Sequence, residues 1–253
     1  MMPIHFPRFR TGVIPCLVAL ASLPLCGAAW AASLLVSPIN LFVIAPGKAG
    51  AISISNQNKA PVRLQIRIFR WRQQNGEEVL EPTRDVIVNP PSMMIPPEQT
   101  YTIRVARLAP AAVTAEESYR VIIDELPSPI DPDAPGQGVR MLLRTSLPVF
   151  YADKTAAPKI AWRLWSAGGK LNLEAANSGT RHIKLVDLAI EGPQGRIKFN
   201  AAGTDAYVLP GSTLRYAALP GTVSYAPGST VTITTAKGTP FEVREQISVS
   251  GGP

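Results

Sequence analysis

Cysteine and histidine are scarce in this 253-residue chain, with two of each: Cys16, Cys26, His5 and His182. Three of the four fall within MMPIHFPRFRTGVIPCLVALASLPLCGAAWA, residues 1–31, where Arg8 and Arg10 precede an apolar run and Ala29-Trp30-Ala31 forms a small-residue exit. That order predicts a secretory signal peptide, cleaved after Ala31. Pro15 and Pro24 interrupt the run, and it is shorter than the roughly 20 residues a membrane span needs, so no stable membrane insertion is expected. Leu25 stands where a lipoprotein signal at Cys26 would want a small residue.

Removal of residues 1–31 leaves 222 residues without cysteine, which excludes disulfides, metal thiolates and a thiol nucleophile. The one remaining histidine, His182, cannot build the usual zinc sites. It lies in the strand-like run Arg181–Asp187 and reads as a surface or internally satisfied strand residue. No Gly-x-Ser-x-Gly elbow, phosphate-binding glycine loop or dinucleotide fingerprint occurs. Asp124 and Glu125 are adjacent on a strand, so they point to opposite faces and cannot act on one bond. Asp131 and Asp133 lack the rest of a calcium loop. No cofactor, no metal and no enzymatic activity are expected. Of the 25 basic residues two leave with the signal, and none of the 18 acidic ones does, so the exported chain carries net +5. Export and the interspersed acids argue against a nucleic-acid partner.

Long helical periodicity is also missing. Period-two alternation takes its place at Ala51–Ser55, Val62–Ile68, Tyr101–Val105 and Tyr119–Ile123, the pattern of half-buried strands. Pro-Gly pairs at Pro46-Gly47, Pro210-Gly211, Pro220-Gly221 and Pro227-Gly228 predict chain reversals, because proline presets the first central turn position and glycine takes positive φ at the second. Residues 151–158 have no alternation and read as a linker between two halves, 32–150 and 159–253. Each half has about the length of one immunoglobulin-like sandwich. Ser128–Gly138 is predicted to be a polar, mobile loop. Pro90-Pro91 and Pro96-Pro97 bracket Ser92–Ile95, a short edge segment that proline protects from recruiting other chains.

Four motifs, in order, resemble the periplasmic chaperones of the chaperone–usher pathway. They are Val36-Ser37-Pro38 with Ala45-Pro46-Gly47; Asn89-Pro90-Pro91 with Ile95–Val105; Glu117–Pro127; and Arg144-Thr145-Ser146-Leu147-Pro148-Val149-Phe150. Leu173–Gly179 and Val208–Thr213 are similar to weaker signatures of the second domain. The resemblance implies an all-β protein of two immunoglobulin-like β-sandwich domains in a boomerang arrangement. It implies a periplasmic chaperone that lends a strand to a pilus or fimbrial subunit and delivers the subunit to an outer-membrane usher. Such donor-strand pairing is an established mode of strand addition.

The donor strand implied here is about 139–149, with Val139, Met141 and Leu143 on one face and Arg140 and Arg144 on the other. An open donor edge also implies possible self-association. Many family members hold the subunit's C-terminal carboxylate with two cations. Asn40 and Ser146 stand at those positions here, which is similar to the archaic, Csu-like branch. Candidate anchors are therefore Arg104, Arg144 and Asn40; a structural pair of Arg104 with Glu117 or with an acid of the second half is the competing role for Arg104. The alternative from the residues alone is a secreted two-domain immunoglobulin-like adhesive or structural surface protein.

Overall fold

The computed structural model describes residues 34–127, 141–201, 203–221 and 224–252. The signal sequence expected at 1–31, the loop at 128–138 with Asp131 and Asp133, and Val139 and Arg140 lie outside the described residues. The strands of the first half are β1 (Leu34–Ser37), β2 (Leu41–Ile44), β3 (Ala49–Asn56), β4 (Val62–Gln74), β5 (Glu77–Pro82), β6 (Val86–Asn89), β7 (Ser92–Ile95), β8 (Thr100–Arg107), β9 (Glu117–Leu126) and β10 (Arg144–Ala152). Those of the second are β11 (Ile160–Ala167), β12 (Lys170–Asn177), β13 (Ile183–Lys184), β14 (Ala189–Gly192), β15 (Gly195–Lys198), β16 (Tyr207–Val208), β17 (Thr213–Ala217), β18 (Thr230–Thr234) and β19 (Arg244–Gly251). The four stretches of alternation fall in β3, β4, β8 and β9.

In the first half a four-stranded sheet, β1-β3-β8-β6, faces a second sheet ordered β2-β10-β9-β4-β5, with β7 also on β4. Alternate residues fill the space between them: Ile52 and Ile54, Leu64 and Ile66, Ile103 and Val105, Val121 and Ile123, Leu147 and Val149. Each such side chain contributes about 1.5–3 kcal/mol when fully buried. The second half has its own core around Leu164, Leu173, Ile190, Val208, Val231 and Ile233 under a sheet ordered β15-β14-β18-β19-β11-β12-β17.

The two halves share a corner that their sequences conceal. Buried Asn56 ends β3 and donates from Nδ2 to the carbonyls of Ala60, Ile95 and Pro96 at 2.8, 3.0 and 3.1 Å, while Oδ1 accepts the Asn58 N–H at 2.9 Å. Asn177, at the end of β12, does the same work. Its Nδ2 donates to Arg181 and Val208 carbonyls at 2.8 and 3.0 Å, and its Oδ1 accepts the Lys159 and Gly179 N–H groups at 3.2 and 3.0 Å.

Each asparagine leans on a proline turn. Pro97-Glu98 closes with Gln99 N–H on the Pro96 carbonyl, and Pro210-Gly211 with Ser212 N–H on the Leu209 carbonyl. Glu98 and Gly211 have φ of 57° and 74°, so both are turns with positive φ at the third position. Pro97 therefore belongs to this turn, while Pro90-Pro91 leads into β7, a one-sided strand on β4 as the bracketing prolines predict. The Asn177-Ser178-Gly179 signature has a steric cause: a Cβ on Gly179 would sit 2.4 Å from the Ala157 carbonyl oxygen.

Three sequence expectations need correction. Of the four Pro-Gly pairs, only those at 210–211 and 227–228 place glycine at positive φ; at Pro46-Gly47 the turn is centred on Ala45-Pro46, with Gly47 N–H on the Ile44 carbonyl. The linker begins later than residue 151, because β10 runs on to Ala152: Tyr151 continues the parity of Leu147 and Val149, and both Tyr151 and Ala152 are buried. Of the two readings of His182, the surface one fails and the internally satisfied one holds, although the residue stands just before β13 and not in it. Both halves belong to one compact unit, and His182 is buried at their junction, with Nδ1 2.8 Å from each Glu116 oxygen and its ring stacked on Phe150 at 4.0 Å. Trp71, Phe150, Tyr207 and Leu209 complete the junction, and Gln73 is bonded to both the Tyr207 carbonyl and the Leu209 N–H.

Candidate functional site

The unusual feature of the first half is a sheet edge left partly unpaired. β10 runs antiparallel to β9 from Arg144 to Tyr151, but on its other side β2 covers only Val149–Ala152. On that side Arg144–Pro148 therefore borders no strand among the described residues. Which groups face outward follows from the ladder. Glu125 N–H bonds the Leu143 carbonyl, which makes Leu143 and Glu125 a hydrogen-bonded pair. Alternation then puts Thr145, Leu147 and Val149 in bonded pairs with β9 and turns the main-chain groups of Arg144, Ser146 and Pro148 away from it. Pro148 has no N–H to leave unsatisfied, which is why proline fits this place in a strand that is otherwise core.

Apolar side chains accumulate beside that edge. Met141 is 84% exposed and Leu143 38%, and Leu142 is exposed too. Met141 and Leu143 share the parity of Leu147 and Val149, so one apolar stripe leaves the core and continues into the open. The strand itself starts at Arg144, later than the expected 139, and the exposed residues precede it. β1 lies on the facing sheet and reaches β2 through Pro38–Asn40, so the chain changes sheets there. The outer side of β1 also pairs with no strand among the described residues, and Leu35 and Ile39 are exposed. The sandwich thus has an opening with β1 on one lip and β10 on the other.

The outer face beside β10 is charged. Asp124 lies opposite Arg144 and accepts hydrogen bonds from Arg144 Nε and, at 2.6 Å, from Arg67 Nη2. Burial pushes its carboxyl up, but the bonds from Arg144 and Arg67 outweigh that and hold it below the ordinary aspartate value. Deeper, Arg120 lies over the Trp71 ring at 3.7 Å, with Nε 3.2 Å from Glu78 Oε1 and with Nη2 buried and without a hydrogen-bond partner among the described residues. Burial pulls the Arg120 guanidinium below its usual value. Arg120 lies in the Glu117–Pro127 motif; Trp71 reaches it from the neighbouring strand β4, and the Tyr207 ring of the second half lies 5.8 Å from its guanidinium.

The three candidate anchors do not converge. Arg104 is exposed on the outer face of the four-stranded sheet, between Ala51 and Asn89. Arg144 is on the other sheet and already engaged by Asp124. Asn40 precedes β2, and continuing the β2–β10 register by one residue places it beside Pro148, where the open edge begins. The competing Arg104–Glu117 pair does not form, because Glu117 is taken by Arg107. Parity turns Arg107 inward with Ile103 and Val105, and Arg107 forks onto both Glu117 oxygens at 2.7 Å. That pairing, ahead of the opposing cost of burial, keeps Glu117 below the usual glutamate value.

Among the described residues no group of three or more histidine, cysteine or acidic side chains could hold a metal ion, and no helix is long and apolar enough to cross a membrane.

Residues 34–156 match the family described as "Pili and flagellar-assembly chaperone, PapD N-terminal domain". Solved structures share the fold over most of the chain. A chain of the CsuC–CsuE chaperone-tip adhesion subunit pre-assembly complex from archaic chaperone-usher Csu pili of Acinetobacter baumannii aligns at TM-score 0.62 with 24% identity, covering 88% of this chain and all of that one. A chain of the complex of Salmonella enterica SafA pilin with the SafB chaperone aligns at 0.59 with 15% identity over 87% and 97% of the two chains. The E. coli chaperone DraB gives 0.55 and 15% over 86% and 97%. No curated protein matches.

Proposed function

We propose, for a chain whose residues 34–156 belong to the pili and flagellar-assembly chaperone family, that it is a periplasmic chaperone which completes pilus subunits through the free edge of β10. The observation that carries this reading is the unpaired run Arg144–Pro148, with exposed Met141 and Leu143 leading into it. A subunit strand laid along that edge gains main-chain hydrogen bonds, while apolar side chains of Met141, Leu143 and Val139 enter the subunit's groove. A strand at an edge is otherwise a liability, and its retention here beside a charged, ordered face fits a partner that is always supplied.

Residues 1–31 act as an export signal in this reading, each half is a sandwich domain with its own core, and an outer-membrane usher receives the loaded subunit. The chain does not catalyse a reaction: His182 is tied to Glu116 at the junction, where it joins the halves. For the subunit's terminal carboxylate, Asn40 beside the open edge and Arg144 at its start are better placed than Arg104. Without a subunit the same edge supports self-association. Periplasmic extraction of tagged chain tests the reading directly. It should co-purify a small subunit that aggregates when expressed alone. Recovery of the chain at the cell surface with no such partner would favour the adhesive alternative.

A further inference from the structure

Charges across the β9–β10 row alternate and stop at a cation. Asp124 of β9 faces Arg144 of β10 in register, and among the described residues no strand lies beyond Arg144. Asp124 is already shared with Arg67, yet 68% of the Arg144 side chain and 43% of that of Arg67 remain exposed. Arg144 directs Nε to Asp124, and a guanidinium has five N–H donors, so it can take a second carboxylate on its open side. The neighbouring outward positions add to the imbalance. Arg63, Arg67 and Arg144 stand on that face, where Asp124 pairs with Arg67 and Arg144, among Gln65, Phe69, Ile122, Leu126 and Ser146.

A strand added along β10 brings one residue to within about 5 Å, Cβ to Cβ, of Arg144 on the same face. We propose that Arg144 selects partner strands carrying aspartate or glutamate at that position, extending the row Asp124, Arg144, acid. This rests on the edge-pairing reading above and adds a rule for which strands pair. An acid there joins Arg144 directly, whereas lysine or arginine meets a cation whose nearest acid is already occupied. The group recognised is a side-chain carboxylate within the strand, distinct from a chain terminus.

The test uses the whole exported chain and three synthetic strands of about nine residues, alternating isoleucine and serine, with one central serine replaced by Glu, Gln or Lys. The peptides are amidated at the C-terminus, so no terminal carboxylate contributes. Binding is read by fluorescence anisotropy at low and high salt. The Glu strand should bind about threefold to tenfold more tightly than the Lys strand, with Gln between, and salt should narrow the spread. Arg144→Glu should reverse the order and Arg144→Gln should flatten it, with melting temperatures confirming that each variant is folded. Binding without that order, or the same order in Arg144→Glu, overturns the acid preference alone. Failure of all three strands to bind overturns edge pairing and the preference with it.

Discussion

Replacing Ser146 with proline separates the two sides of β10. Parity turns the Ser146 N–H away from β9, as it turns the ring nitrogen of Pro148 two residues later. Proline at 146 therefore removes no hydrogen bond from the β9–β10 ladder, and Thr145 before it is already extended. On the open side the same change removes one main-chain donor and puts a ring methylene where a partner's carbonyl would sit. The lost bond is worth about 0.5–1.5 kcal/mol, or roughly twofold to twelvefold in affinity, and the clash adds to it. Ser146→Ala, which keeps the N–H, is the control. Isothermal titration or competition against the co-purified subunit should show Ser146→Pro weakened by tenfold or more and Ser146→Ala near wild type, with similar melting temperatures for all three. Wild-type affinity in Ser146→Pro, or loss of its fold, would refute the assignment of that edge as open and available.

Replacing both Met141 and Leu143 with aspartate should abolish subunit capture without changing the melting temperature, since both side chains are exposed; a large fall in melting temperature would assign them to this chain's own core. Asn56→Ala and Asn177→Ala should each cost about 2–4 kcal/mol in denaturant unfolding, because each strands several buried carbonyl and N–H groups. Near-neutral values would break the proposed equivalence of the two corners. The depressed Glu117 value gives an acid dependence of definite sign. Its contribution is present above the ordinary glutamate value of 4.5 and is lost as pH falls through the lower folded value. Melting temperature should therefore fall less steeply with acid in Glu117→Gln than in the wild type, and identical slopes would exclude this pair as a source.

Local rules made much of the sandwich legible. Alternation marked β3, β4, β8 and β9 because successive side chains of a strand divide between core and solvent. Bracketing prolines marked β7, and Pro210-Gly211 and Pro227-Gly228 marked true reversals. An Asn75-Gly76 pair with φ of 53° and 83° joins β4 to β5, and Asn-Gly between two strand-like runs is a hairpin-turn signal in the sequence. What escaped was non-local. Asn56 meets Ile95 and Pro96 across some forty residues, and no spacing rule connects them. Burial of His182 depends on Glu116 and Phe150 from the other half. The site was half legible: exposure of Met141 and Leu143 follows the stripe in the sequence, but the open side of Arg144–Pro148 is defined by where β2 stops. Arg104 and Arg107 differ only in parity, and parity decided which one met Glu117.

Amide hydrogen exchange along β10 tests the central claim most directly. In the free chain the Thr145 and Leu147 amides, bonded to β9, should be protected, and the Arg144 and Ser146 amides should exchange quickly. In the complex with the co-purified subunit, Arg144 and Ser146 should become protected as well. Slow exchange at Ser146 in the free chain, or no change at Ser146 when the subunit is bound, would contradict the account.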